Sequence, residues 1–207
     1  MVQINKIPIF TDEVFYFKLP NFDIWKKQIE QIVLVEDNKK IHGVDTSPED
    51  SCNIHAKRTA WNSHVRYPIL NDLCNEIKNY LIDWIKQEDF DIPSLDLEEC
   101  WINWYKKNNY AQPHQHKQYL AVVLFVDVEA SGGGLYFHSD KNYSLVKKSN
   151  SHTNFSNAKK INSENGTVIF FDGSLHHSVI PNEKEEKRIT MAMNFRPSYF
   201  EGRGEYK

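Results

Sequence analysis

The chain is poor in cysteine, in excess charge of either sign and in long apolar runs, and each shortage removes a class of protein. Its three cysteines, Cys52, Cys74 and Cys100, are far apart and odd in number. They form neither a C-x-x-C pair nor a disulfide framework, so they read as reduced structural thiols. The 25 basic and 28 acidic residues leave a net charge of only −3. That balance argues against the extended basic footprint of a nucleic-acid partner. No apolar run approaches the roughly 18 residues of a membrane span, and the opening MVQINKIPIF has no apolar signal-peptide core. Repeats, linkers and low-complexity tracts are missing too. These absences leave a cytoplasmic protein without a membrane partner, with residues 1–207 as one domain.

Aromatic residues are abundant: 12 Phe, 10 Tyr and 5 Trp supply a substantial core. In residues 21–33, Asn21 and Asp23 stand as N-cap candidates. Phe22, Trp25, Ile29, Ile32 and Val33 then recur at helical spacing. Residues 42–66 are polar and irregular. A stronger helix follows: Pro68 suits its first turn, and Leu70, Leu73, Ile77, Leu81, Trp84 and Ile85 trace one stripe. Both stripes read as core contacts.

From Cys100 the pattern becomes one of strands. CWINWY, YLAVVLFVDV, GGLYFH, YSLVK, GTVIFFD, HSVI and RITMAMNF are β-branched and aromatic runs separated by Gly, Asn, Ser and Pro. The expected fold is mostly β: a double-stranded β-helix, or jelly roll, over about residues 99–197, with N-terminal helices within about 1–98 buttressing one sheet. The polar segment 139–165 reads as a long loop and a specificity element. The tail after Pro197 reads as surface.

Three of the nine histidines sit where metal chemistry needs them. His114 and His116 form H-x-H just before a long apolar strand. On an extended chain residues i and i+2 share a face, so both imidazoles can meet one ion while Gln115 faces away. His177 follows another apolar strand and a Gly-containing turn, and supplies the distant third ligand of a facial site. Its neighbour His176 is a close competitor. His138 lies near the site without an assigned role, and His42, His55, His64 and His152 have no partner at ligand spacing. Isolated H-x-H pairs are common, so the pair by itself decides little. Arg188, 11 residues beyond His177, opens an alternating strand. A buried cation calls for an anion, and guanidinium binds both oxygens of a carboxylate at once. Thr190, two residues on, shares its face and can add a hydroxyl. The plainer alternative is a surface Arg188 paired with Glu183 or Glu186.

In this order the residues resemble the iron(II)/2-oxoglutarate oxygenases, whose mark is H-x-D/E, a distal His and a later Arg or Lys followed by x-Ser/Thr. The pattern is similar to a branch found in bacteria and tailed phages. It reads here as Trp61-Asn62-Ser63, Trp101-Ile102-Asn103, His114-Gln115-His116, Gly132-Gly133-Gly134, His177-Ser178-Val179-Ile180-Pro181 and Arg188-Ile189-Thr190. The resemblance covers about residues 60–197. It implies an oxygenase that uses Fe(II), O2 and 2-oxoglutarate and releases succinate and carbon dioxide. His114, His116 and His177 would be its metal ligands, and Arg188 and Thr190 would hold the co-substrate. Asn103 and Tyr105 precede the metal motif as an N-x-Y pair does in alkylation-repair oxygenases, and would also touch 2-oxoglutarate. Catalysis then needs no residue beyond the metal ligands. A phage-encoded member would act in its host's cytoplasm.

His116 departs from the family, standing where a carboxylate is usual. Either it is a true third ligand, or Asp140 replaces it, with Asp172 a weaker candidate. The layout after the distal His is similar to that of prolyl hydroxylases, so the expected partner is a peptide or protein side chain, with a small molecule as the alternative. Two other readings compete. A cupin-type dioxygenase or isomerase fits H-x-H on a strand, but KQYLA lacks the Glu that normally follows, and Arg188 and Thr190 would have no task. A non-enzymatic β-sandwich binding module leaves the spacing of the histidines and arginine unexplained.

Overall fold

The computed structural model describes residues 12–38, 44–45, 54–116, 119–128, 134–139, 158–162 and 164–198. Two helices carry the predicted stripes. In α1 (Phe22–Asp37), Ile29, Ile32 and Val33 are buried, with Phe22 and Trp25 packed beside them. In α3 (Pro68–Gln87), Leu70, Leu73, Ile77, Leu81 and Ile85 are buried, and Pro68 opens the first turn as expected. The expected side-chain cap of α1 does not form. Asn21 sits at φ 51° in the left-handed region and makes no capping hydrogen bond. Its tolerance of that region makes the turn, and its side chain is not placed to cap.

The strands form two antiparallel sheets. The larger contains β1 (Val14–Lys18), β2 (Val44–Asp45), β4 (Lys57–Arg58), β5 (Ser94–Tyr105), β7 (Leu120–Asp127), β10 (Thr167–Asp172) and β12 (Arg188–Ser198). Their spatial order is β1-β10-β7-β12-β5-β4-β2. The smaller contains β3 (Ile54–His55), β6 (Tyr110–His114), β8 (Gly134–His138), β9 (Ala158–Asn162) and β11 (His177–Val179), in the order β3-β6-β11-β8-β9. A one-turn helix, α2 (Ser63–Arg66), precedes α3. This is the double-stranded β-helix with buttressing helices. No described helix is long and apolar enough to cross a membrane.

Alternation explains how one strand serves two environments. Along β12, Ile189, Met191, Met193 and Phe195 join the core beneath the helices, together with Cys100, Ile102 and Trp104 of β5. The intervening Arg188, Thr190 and Ala192, with Trp101, Asn103 and Tyr105 of β5, face a cleft between the sheets. A second, smaller core on the inner faces of β7 and β10 contains Phe125, Ile169 and Phe171 and packs against Leu135, Phe137 and Val179 of the smaller sheet.

The fold corrects the reading of several segments. The irregular stretch 42–66 contributes β2, β3, β4 and α2, each too short for a periodic signal. Strands β1 and β6 were not expected either. The segment 139–165 is not all loop, since β9 extends the smaller sheet beside β8. The expected strand YSLVK and most of the presumed loop lie outside the described residues, as do residues 199–207.

Gly166 makes the tight entry into β10. It has φ 78°, accepts from Leu19 N–H at 2.9 Å and donates to the Phe125 carbonyl at 2.8 Å. A Cβ there would lie 2.9 Å from the Phe22 ring. Gly166→Ala therefore combines backbone strain with a clash against α1, and should cost about 1–3 kcal/mol. Thermal or urea unfolding checks this; an unchanged midpoint would show that the turn relaxes freely.

Candidate active site

The smaller sheet brings the three predicted histidines together. His114 ends β6 and pairs across the ladder with His177, the first residue of β11. His116 lies just beyond β6, tied by its backbone N–H to the Gly173 carbonyl at 2.7 Å. Gln115 is exposed and turned away, donating to the Ser174 carbonyl. The ring centroids lie 5.3 Å apart for His114–His116, 4.3 Å for His114–His177 and 5.0 Å for His116–His177. One ring nitrogen from each falls within 4.8 Å of the others, so the three can hold a metal ion.

Hydrogen bonds decide which nitrogen each ring offers. His114 Nδ1–H donates to the Gln112 carbonyl at 2.7 Å, and His177 Nδ1–H to the Leu175 carbonyl at 2.9 Å. His116 Nδ1–H donates to Asn194 Oδ1 at 2.7 Å. With every Nδ1 proton committed to an acceptor, each neutral ring is left with a free Nε2 lone pair.

Electrostatics favours the neutral rings. Burial, then the charge of the neighbouring His114, pushes His116 down to about 4. Burial and the charges of His114 and His116 push His177 down to about 3. His114 is lowered in the same way, by burial first. Proton competition for the lone pairs is therefore weak at neutral pH.

The other end of the cleft is cationic. Arg188 is buried, at 4% exposure, which rules out the alternative of a surface residue. Its guanidinium donates from Nη2 to the Ile180 carbonyl at 2.7 Å and lies 4.6 Å from the centroid of the Tyr105 ring. Burial draws its pKa below the usual range for arginine and so raises the value of an anionic partner. Cross-strand register sets Arg188 opposite Tyr105 and Thr190 opposite Asn103. Asn103 Oδ1 and Trp101 Nε1 are buried without a hydrogen-bond partner, in side chains that line the cleft. Such orphaned polar atoms fit a cleft that takes a polar guest.

The remaining candidates lie elsewhere. Asp140 falls outside the described residues. Asp172 is exposed and accepts from the backbone and hydroxyl of Ser174. Among the described residues no carboxylate joins the histidine cluster. His176 faces Gln115 at 3.2 Å, and His138 pairs with Ser178 at 2.8 Å. His55 stacks on Tyr110.

Three residues that the sequence reading gave no role belong to this site. Trp101 stacks on His116 at 5.7 Å and 12°. Asn194 accepts at Oδ1 from His116 Nδ1–H and in turn donates from Nδ2 to Glu99 Oε2 at 2.5 Å. The alternation from Arg188 through Thr190 reaches Asn194, a polar residue in the apolar run MAMNF, and that signal could have found it.

A search of curated proteins finds no match. Solved structures do match. A prolyl-4-hydroxylase from Pseudomonas putida aligns with TM-score 0.61 and 11% identity, covering 91% of this chain and 94% of that one. HygX from Streptomyces hygroscopicus, with nickel, 2-oxoglutarate and hygromycin B bound, aligns with TM-score 0.61 and 12% identity over 92% and 85% of the two chains. The viral collagen prolyl hydroxylase of Paramecium Bursaria Chlorella virus-1, in complex with 2-oxoglutarate, gives 0.53 and 16% over 88% and 96%. At these identities the likeness establishes the fold. A family model for 2OG-Fe(II) oxygenases matches residues 99–194, which span every candidate in the cleft. The chain thus shares the fold of these solved structures, and residues 99–194, which hold the whole candidate site, are similar to the 2OG-Fe(II) oxygenases.

Proposed function

We propose that this chain is an oxygenase that binds iron(II) through Nε2 of His114, His116 and His177, and holds 2-oxoglutarate with Arg188 and Thr190, hydroxylating a C–H bond of a peptide or protein side chain. The observation that carries the reading is the set of three Nδ1 hydrogen bonds, which leave three free lone pairs on one side of the cleft. Three protein ligands leave further metal positions open for co-substrate and oxygen. With both bound, the chemistry supplied is decarboxylation of 2-oxoglutarate to succinate and carbon dioxide, coupled to insertion of one oxygen atom into a C–H bond.

The chain's own contribution is binding and orientation. Arg188 meets the distal carboxylate of the co-substrate, and Thr190, on the same face of β12, adds a hydroxyl donor. Tyr105 lies beneath the guanidinium and keeps it level with the cleft. Asn103, opposite Thr190, offers its amide. Two of the similar structures are prolyl hydroxylases, and HygX holds hygromycin B. The first two favour a peptide substrate, and HygX keeps a small molecule as the second reading.

Purified protein with iron(II), ascorbate and air should release succinate from 2-oxoglutarate, faster when a proline-containing peptide pool is added. Arg188→Ala should raise the 2-oxoglutarate KM by about 10- to 100-fold, the loss of a charge-assisted bidentate contact, while leaving iron binding intact. An unchanged KM removes Arg188 from the co-substrate site.

The neutral imidazoles also make the metal-free protein sensitive to acid. In the unfolded chain each histidine titrates near 6.5, while His116 and His177 in the fold titrate near 4 and 3. Between those values the unfolded state binds more protons, so stability falls as pH drops below about 6.5. The melting temperature of the metal-free protein should fall between pH 7.5 and 5.5, and fall less in the double variant His116→Gln, His177→Gln. Equal slopes would show that other groups govern the pH response.

A further inference from the structure

His116 differs from its two partners in what holds it. The Nδ1 protons of His114 and His177 go to the main-chain carbonyls of Gln112 and Leu175, each two residues earlier. Those acceptors come with the local backbone and no side-chain substitution removes them. His116 uses a side chain from another strand, Asn194, 78 residues away in sequence. Asn194 is buried, at 3% exposure, and stands opposite Glu99 in the β12–β5 register.

The chemistry of this relay allows one arrangement. A carboxylate only accepts, so the Asn194 amide must turn its NH2 toward Glu99, where the contact is 2.5 Å. Oδ1 then faces His116 and can only accept, so the proton sits on His116 Nδ1. Glu99 thereby dictates, through Asn194, that Nε2 of His116 carries the lone pair. Trp101 stacks on the ring at 12°, which sets its plane. The hydrogen bond sets its rotation within that plane. Glu99 is half-buried, on the cleft-facing side of β5 with Trp101 and Asn103.

Resting on the metal reading given above, we propose that Asn194 and Glu99 are positioning residues for His116, and that Glu99 returns, two hydrogen bonds away, the negative charge that a coordinating carboxylate would place on the metal. A family member with a carboxylate in this position needs no such relay, because both carboxylate oxygens are acceptors in any orientation. An imidazole needs its far nitrogen fixed, and a charged acceptor behind it raises its basicity.

Cobalt(II) titrated into the metal-free full-length protein tests this, followed by calorimetry and visible absorption without 2-oxoglutarate. N194A should weaken Co(II) binding by about 10- to 100-fold, as loss of such support does at other sites, and should change the cobalt spectrum. E99Q keeps an acceptor for the Asn194 amide but not the charge, and should weaken binding less. The double variant N194D/E99Q gives His116 a carboxylate acceptor that is itself held by the introduced amide. It should bind Co(II) more tightly than E99Q and restore the spectrum toward that of the wild type. Wild-type affinity and spectrum in N194A would overturn the inference. So would a folded N194D/E99Q that binds no better than E99Q, because the pair would then serve the sheet and not the ligand. Should N194A fail to fold, the comparison of E99Q with N194D/E99Q decides alone. A wild-type protein that takes up no Co(II) would instead remove the metal reading itself.

Discussion

The register between β5 and β12 is the constraint on which the rest of the structure depends. These two strands pair along almost their full length, and each separates its residues by parity. Cys100, Ile102, Trp104, Ile189, Met191, Met193 and Phe195 go beneath the helices, and the alternate residues go to the cleft. A slip of one residue would turn Arg188 and Thr190 into an apolar core and expose methionines in their place. The helices enforce the register, because their buried stripes leave room only for apolar side chains. The same register aligns Arg188 with Tyr105, Thr190 with Asn103 and Asn194 with Glu99. Packing on one face of the sheet thus fixes the chemistry on the other.

That arrangement has a cost. His177, Arg188, Thr190, Asn103 and Asn194 are all buried, and a buried polar group without a partner is destabilising. The fold meets most of the cost locally: Arg188 through the Ile180 carbonyl and the Tyr105 ring, Asn194 through its two neighbours, and each histidine through its Nδ1 acceptor. Asn103 Oδ1 and Trp101 Nε1, which have no hydrogen-bond partner, lie in side chains lining the cleft. The apolar core between the helices and the larger sheet supplies the stability that allows this departure.

Much of this was legible in the sequence because it depends on short separations. An H-x-H pair shares a face by covalent geometry, R-x-T does the same, and the stripes of α1 and α3 repeat every three or four residues. The parts that were not legible depend on something else. Strands β2, β3 and β4 have two residues each, too few for a period; β4 and β3 form on the edges that β5 and β6 offer, and β2 pairs in turn with β4. Strand β6 reads YAQPH and shows no alternating apolar signal, since the adjacent Gln112 and Pro113 are both exposed. The Asn194–Glu99 contact spans 95 residues; a single sequence does not reveal it before the register is known. The αL conformation of Asn21 likewise follows from how the chain enters the helix.

The histidine at position 116 changes the charge balance of the cleft. With three neutral ligands, a divalent ion would keep its full charge, and Arg188 adds another. A co-substrate with two carboxylates would then leave one positive charge in a poorly hydrated space, where a coordinating carboxylate would have left none. An excess of that kind raises affinity for the dianion but also favours small anions that would compete for the metal. A carboxylate behind His116 offsets it without occupying a coordination position. Glu99 is half-buried, so its charge is less costly to keep than one at the centre of the cleft. On this argument a three-histidine metal site would differ from the carboxylate-bearing pattern of the 2-oxoglutarate oxygenases by moving the negative charge outward along one hydrogen-bonded path rather than by removing it. Asn194, the polar residue within MAMNF, is what makes that path continuous.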